Sequence, residues 1–177
     1  MTVRVCLFGP TGSGKSTIAA HLTATYGGEL IKVSEPLHRL QAMFYDVLRV
    51  RVDGQDGELL QFLAQKIERE QPGWLGRTMM ERVTRSSSPL VVNDDCRGNS
   101  YRALADAGFV FVRVRTAEPE LASRLRRDHR PVDPDHPVER GFEAFRTDYE
   151  LDNNGPLEDV LQSASRLVDH LLHDAQR

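Results

Sequence analysis

Eight consecutive residues, Gly9-Pro10-Thr11-Gly12-Ser13-Gly14-Lys15-Ser16, constrain this chain more tightly than anything else in it. They follow a short apolar run, Val3-Arg4-Val5-Cys6-Leu7-Phe8, that reads as a largely buried strand, and they open a helix expected from Lys15 to about Tyr26. A Gly-x-x-x-x-Gly-Lys-Ser spacing between a strand and a helix is a phosphate-holding loop. Glycines at 9, 12 and 14 permit backbone conformations that a Cβ would strain, and let amide N–H groups of Thr11, Gly12, Ser13 and Gly14 face phosphate oxygens. The helix N-terminus adds favourable partial charge. Lys15 is placed to reach the β- and γ-phosphates of a nucleoside triphosphate such as ATP, and Ser16 to ligate Mg²⁺. Thr17 supports the loop or meets the α-phosphate.

The rest of the chain alternates in the same way. Further strands are predicted at Leu30–Val33, Leu90–Val92, Phe109–Val114 and Tyr149–Leu151, with helices over 58–71, Trp74–Arg85 and Pro119–Arg127. A last, strongly amphipathic helix carries Val160, Leu161, Ala164, Leu167, Val168, Leu171 and Leu172 on one stripe. Strands alternating with helices imply an α/β domain, with a parallel five-stranded sheet covered on both faces. At 177 residues and 40% hydrophobic, one domain spanning 1–177 is the expectation.

Composition narrows the partners. With 23 basic and 26 acidic residues, the formal charge of −3 disfavours a broad nucleic-acid face. No apolar run is long enough for a membrane span, and the start does not resemble a signal peptide. Cys6 and Cys96 stand far apart without metal-ligand spacing, so no disulfide framework is expected and a cytoplasmic location follows.

Ligands of open α/β sheets collect beyond the carboxyl ends of the strands. Asp94 and Asp95 close the third strand there, and a carboxylate at that point can hold Mg²⁺ or cap the next helix. Arg97 lies just beyond and is placed for a substrate phosphate. Arg124, Arg126, Arg127 and Arg130 surround the start of a proline-broken stretch; guanidinium groups on a closing lid would neutralise a phosphoryl group in transfer. The competing reading is a solvated Arg-rich helix end. His129 and His136 match no zinc spacing and read as surface loop, while Trp74 reads as core.

With those residues in view, the chain resembles the phage-type deoxynucleoside monophosphate kinases, within the adenylate kinase-like group of P-loop kinases. Ser34-Glu35-Pro36-Leu37-His38-Arg39 looks like the segment after the family's second strand, and Leu59-Leu60-Gln61 with Arg69 and Trp74 like its helical acceptor region, about residues 35–85. Asp95-Cys96-Arg97 resembles its Asp-x-Arg, which favours Asp95 over Asp94 for Mg²⁺. Arg130-Pro131 and Asp135-His136-Pro137 are similar to its lid, about 124–140. Asp148-Tyr149 and Asp152-Asn153-Asn154-Gly155 resemble the closing strand and turn, which lie near adenine in related kinases and put Asn153 among the nucleotide contacts.

The resemblance implies transfer of the ATP γ-phosphate to a small nucleotide acceptor, a nucleoside 5′-monophosphate held by Glu35, Arg39, Arg69, Asp95 and Arg97, with Lys15, Arg124, Arg127 and Arg130 as the catalytic cations. His38 departs from the family's usual lysine, and Gly98-Asn99-Ser100 replaces its aromatic–Pro–Asn–Glu continuation; both departures touch the acceptor side. Dephospho-coenzyme A kinase shares the fold and closing turn. A regulatory nucleotide-binding module is the alternative of another class, and the Asn-Lys-x-Asp motif of a switch GTPase is absent.

Overall fold

The computed structural model describes residues 2–127 and 144–177. Strand β1 (Val3–Phe8) alternates its side chains between two apolar cores: Val3, Val5 and Leu7 enter one, Cys6 and Phe8 the other. That two-sided burial marks a central strand of a covered parallel sheet. Its neighbours are β3 (Leu90–Asn93), with Val5 opposite Val92, and β4 (Val110–Arg115), with Cys6 opposite Phe111. The outer strands are β2 (Glu29–Leu30) and β5 (Tyr149–Asp152), giving the order β2-β3-β1-β4-β5 with every pair parallel.

Helices α1 (Lys15–Tyr26) and α7 (Leu157–Asp174) pack on one face through Ile18, Ala19, Leu22, Val160, Ala164 and Val168. The Tyr26 hydroxyl joins them, donating to the Ser165 carbonyl and to Asp169 at 2.8 Å each. On the other face lie α4 (Trp74–Arg85), α5 (Gly98–Asp106) and the start of α2 (Glu35–Leu48), through Leu75, Met79, Val83, Leu104 and Leu37. Helix α3 (Gly57–Glu70) has no fully buried residue and leans on this core by Leu60, Leu63, Ala64 and Ile67. Trp74 packs there too, partly buried. The layers are therefore helix, sheet, helix, as the alternating pattern requires. No described helix is long and apolar enough to cross a membrane.

Strand β2 is shorter than its sequence promises. Leu30–Val33 was expected, yet the ladder stops at Leu30, followed by one further bond from the Ile31 N–H to the Val92 carbonyl. The N–H groups of Val33 and Ser34 instead donate to the two carboxylate oxygens of Asp95. A side chain from the neighbouring strand end has taken over from the ladder. Helix α6 (Glu118–Arg127) leads away from β4 and runs past the first loop of the chain.

Candidate functional site

The loop between β1 and α1 lies at the carboxyl edge of the central strand, where chain connections diverge to the two flanks of the sheet. Gly9, Gly12 and Gly14 have φ of 142°, 84° and 93°, in the region that favours glycine. A Cβ at Gly9 would sit 2.6 Å from the Val114 carbonyl oxygen, and one at Gly14 would collide with the Asn153 amide. Neither position in this cradle admits a side chain. Lys15 Nζ spans it, donating to the carbonyls of Gly9 (2.8 Å) and Pro10 (2.7 Å) and reaching Ser13 Oγ at 3.4 Å. Ser16 and Thr17 stand exposed on the first helical turn, and Thr11 lies half-buried ahead of it.

The loop is clamped from the far end of the chain. Asn153, 3% exposed, donates from Nδ2 to the Ser13 carbonyl at 2.8 Å, and the Thr116 hydroxyl reaches the same oxygen at 3.3 Å. Arg124 donates to the Asn153 carbonyl (2.9 Å) while Glu120, one turn back on α6, holds its Nε (2.9 Å). The neighbouring Asn154 accepts from the Ala117 N–H and is itself folded onto Asp152, so the turn after β5 grips the start of α6. Arg124 and Asn153 are thus brought to one flank of the phosphate loop, beside Gly14. The side chain of Arg127 and the whole of Arg130 lie outside the described residues, as do His129 and His136 and most of the predicted lid.

The second group sits at the end of β3. Asp95 Oδ1 accepts from the Val33 N–H (2.9 Å) and from Asn93 Nδ2 (2.8 Å), and Oδ2 from the Ser34 N–H (2.8 Å). Asn93, fully buried, also donates to the Ile31 carbonyl at 2.9 Å. Asp95, expected at Mg²⁺ and at the acceptor, also wires β3 to the segment that begins α2. Asp94 is the more buried acid, with its side chain 1% exposed. The Lys32 ammonium lies 3.1 Å from both of its oxygens but donates acceptably only to Oδ2. Cys6 lies beneath these acids, and burial, with the Cys96 thiol bonded beside it, pushes its own thiol well up.

Glu35, at the N-terminus of α2, is ion-paired to Arg82 of α4, which also lies 3.5 Å from Glu29. Arg97 precedes α5, its N–H donating to the Ser100 hydroxyl. Arg39 and Arg69 are exposed, Arg69 beside Glu70 at 3.6 Å, and among the described residues neither bonds to the loop or the strand-end acids. Sequence reasoning missed Asn93, Lys32, Arg82 and Thr116. The one local sign was Asn93-Asp94-Asp95, which reads as a strand terminator and conceals a buried amide. Phe44 is 46% exposed and is no part of the core.

The residues suit a nucleotide and its metal: a glycine-shaped cradle with an ammonium in it, a hydroxyl on the first helical turn, and hard carboxylate oxygens at the adjoining strand end. No family model matches the chain, and no curated protein is matched by it. Solved structures with the same fold are numerous. A shikimate kinase from Acinetobacter baumannii in complex with shikimate superposes with TM-score 0.58 at 16% identity, over 100% of this chain and 97% of that one. A gluconokinase from Sinorhizobium meliloti gives 0.57 at 18% identity, over 97% of each chain. The Mycobacterium tuberculosis APS kinase in complex with AMPPNP and APS gives 0.57 at 18%, over 97% and 98%. The fold is that of the P-loop kinases.

Proposed function

We propose that this chain is an ATP- and Mg²⁺-dependent phosphotransferase whose acceptor is a nucleoside or deoxynucleoside 5′-monophosphate, giving the diphosphate and ADP. The observation that carries the phosphotransferase reading is the clamped loop: a glycine-shaped cradle with Lys15 across it, held by Asn153 and Arg124. Kinases with this fold, one solved with the ATP analogue AMPPNP, support ATP as donor. The nucleotide acceptor rests on the resemblance carried by Asp95-Cys96-Arg97 and the arginine-rich segment after α6.

Lys15 neutralises charge on the β- and γ-phosphates, and the amides of Thr11–Gly14 hold them in register. Ser16 would hold Mg²⁺, with Asp95 or Asp94 as its carboxylate partner, and the ion would supply charge neutralisation for the donor phosphates. Arg97 binds the acceptor phosphate, with Arg39 and Arg69 available once the helical region closes, and Glu35 and Asp95 fix the backbone that frames it. A phosphate oxygen is already nucleophilic at neutral pH, so no general base is required. Alignment and charge neutralisation do the work. Arg127 and Arg130 belong to the lid that excludes water, and Arg124 steadies its base.

The deciding experiment is an acceptor panel with ATP and Mg²⁺, read as ADP release. The arms are the nucleoside and deoxynucleoside monophosphates, dephospho-coenzyme A, shikimate, gluconate and APS. Turnover confined to one or two monophosphates is the expected result. Turnover with a non-nucleotide hydroxyl compound refutes the acceptor but keeps the donor side. No turnover with any arm, together with retained ATP binding, favours the regulatory-module alternative.

A further inference from the structure

The outer face of α2 is apolar where a solvated helix should be polar, and α3 adds Phe62 to it from an exposed face that is otherwise polar. Along α2, Leu40, Met43, Phe44, Val47 and Leu48 recur at three- and four-residue spacing, forming one stripe. From α3, Leu59 and Leu63 meet it, and a groove of about 350 Å³ runs between the helices. Leu40, Leu59 and Leu63 are half-buried, Leu63 against the core, but the rest of the stripe is not core. Met43 is 65% exposed, Val47 80%, Leu48 53% and Phe62 61%.

The chain anchors this pair of helices firmly. Gln41, buried at the back of α2, donates to the Gly54 carbonyl at 3.0 Å and accepts from the Asp56 N–H at 2.9 Å. Asp56 caps α3 through the Leu59 N–H and is bonded by the Tyr45 hydroxyl. These bonds hold α2 and α3 to each other, so the ridge keeps its shape as one surface.

Area and charge decide the occupant. With a fully exposed large side chain offering roughly 150–200 Å², the exposed fractions, with Phe44 and Val50, leave on the order of 600 Å² of apolar surface in water. That is at the upper end of the patches ordinary monomers carry. A standard interface takes about 800 Å² from each partner, and homodimer contacts are about 65% apolar. The ridge therefore supplies, by itself, the apolar share that one side of a standard homodimer needs. Its rim is mixed in sign: Arg49 and Arg51 stand among Asp46, Asp53 and Glu58. A rim of both signs repels no copy of itself, whereas an anionic membrane or a nucleic acid calls for a one-signed basic face.

We propose that this face is the contact of a two-fold homodimer, formed by α2 and α3 of one chain against the same helices of a second copy. In an isologous contact the two ridges meet each other, and the arginines at the tip of one hairpin find acids on its mate. The face lies on the helices that carry Arg39 and Arg69, but no phosphate-loop or strand-end group takes part in it.

The test is the mass of the full chain in solution, by light scattering on a sizing column and by sedimentation across a dilution series. Wild type is expected at twice the chain mass, reverting towards one chain mass on dilution. Val47→Glu and Phe62→Glu, each at an exposed position, should be monomeric and still unfold cooperatively, at the midpoint of wild type diluted to the monomer. Val47→Cys treated with a short bismaleimide should yield a covalent dimer, against little background from the buried Cys6 and Cys96. A wild type that stays monomeric at every concentration overturns the proposal and leaves the ridge to a different partner. A dimer that persists in both glutamate variants overturns it equally, since the contact then lies elsewhere.

Discussion

Asp95→Asn separates two roles that one carboxylate could play, because it changes charge and hydrogen-bonding capacity while keeping shape. In the native chain Oδ1 serves two donors, the Val33 N–H and Asn93 Nδ2, and Oδ2 serves the Ser34 N–H, all within 2.9 Å. The asparagine does best by keeping its oxygen at the Oδ1 position. Its NH₂ then faces the Ser34 N–H, donor against donor. One hydrogen bond to a charged acceptor is lost, the other two weaken, and a half-buried N–H is left unserved; together these are worth roughly 2–4 kcal/mol. For a domain of this size that lowers the thermal midpoint by roughly 5–12 °C. The assay is thermal unfolding followed by circular dichroism in EDTA, so that metal binding contributes nothing. Steady-state kinetics on the same protein should show a rise in the acceptor KM larger than that in the ATP KM, since the segment released is Val33–Glu35. If Asp95 were a metal ligand alone, removing its charge beside Asp94 would leave the midpoint unchanged or raise it. A shift smaller than about 1 °C would refute the wiring deduced here.

Lys15→Ala should lower kcat by on the order of 10²–10³-fold or more while circular dichroism stays native; unchanged turnover would remove the phosphotransferase assignment. Gly14→Ala drives a Cβ into the Asn153 amide at a φ of 93°, and should lose about 1–3 kcal/mol of stability together with nucleotide affinity. A variant with native affinity would show the clamp to be dispensable. The Asp56 carboxyl is held below its ordinary range by the Leu59 N–H and then the Tyr45 hydroxyl, while the Tyr45 phenol is raised by Asp56. Folding therefore favours carboxylate with neutral phenol. The advantage of wild type over Asp56→Ala in thermal midpoint should be complete between about pH 5 and 9, shrinking below about pH 4 as the carboxylate protonates and above about pH 10 as the phenol ionises. A pH-independent difference would contradict the pairing. Arg127→Ala and Arg130→Ala should each reduce kcat more than ATP affinity; the opposite split would remove the lid role.

What was legible in the sequence was local. Helix α1 begins and ends where the loop lysine and the paired glycines put it, and α4 runs between the Pro72-Gly73 break and the serines as expected. These boundaries depend on backbone preferences that neighbouring residues set on their own. Strand β2 was over-read because Ile31-Lys32-Val33 has strand composition, yet the amide of Val33 is claimed by an acid 62 residues away and that of Ser34 by the same carboxylate. The same non-local capture was invisible at Asp95, whose three donors from Val33, Ser34 and Asn93 add a bracing role that no strand-end motif announces. Arg82 and Thr116 carry no motif, and reach Glu35 and the Ser13 carbonyl only because the sheet brings their elements together. Exposure was equally opaque, since the stripe on α2 has the periodicity of a core-facing helix and lacks a core to face.

The bond from Asn153 to the Ser13 carbonyl joins residues 140 apart, across most of the chain. Contacts of such sequence separation form late. The bonds from Lys15 to the Gly9 and Pro10 carbonyls are local to the loop, whereas the brace waits for β5 to take its place at the sheet margin. A chain cut before the closing turn therefore keeps the phosphate motif and loses the tie that joins it to the far side of the sheet.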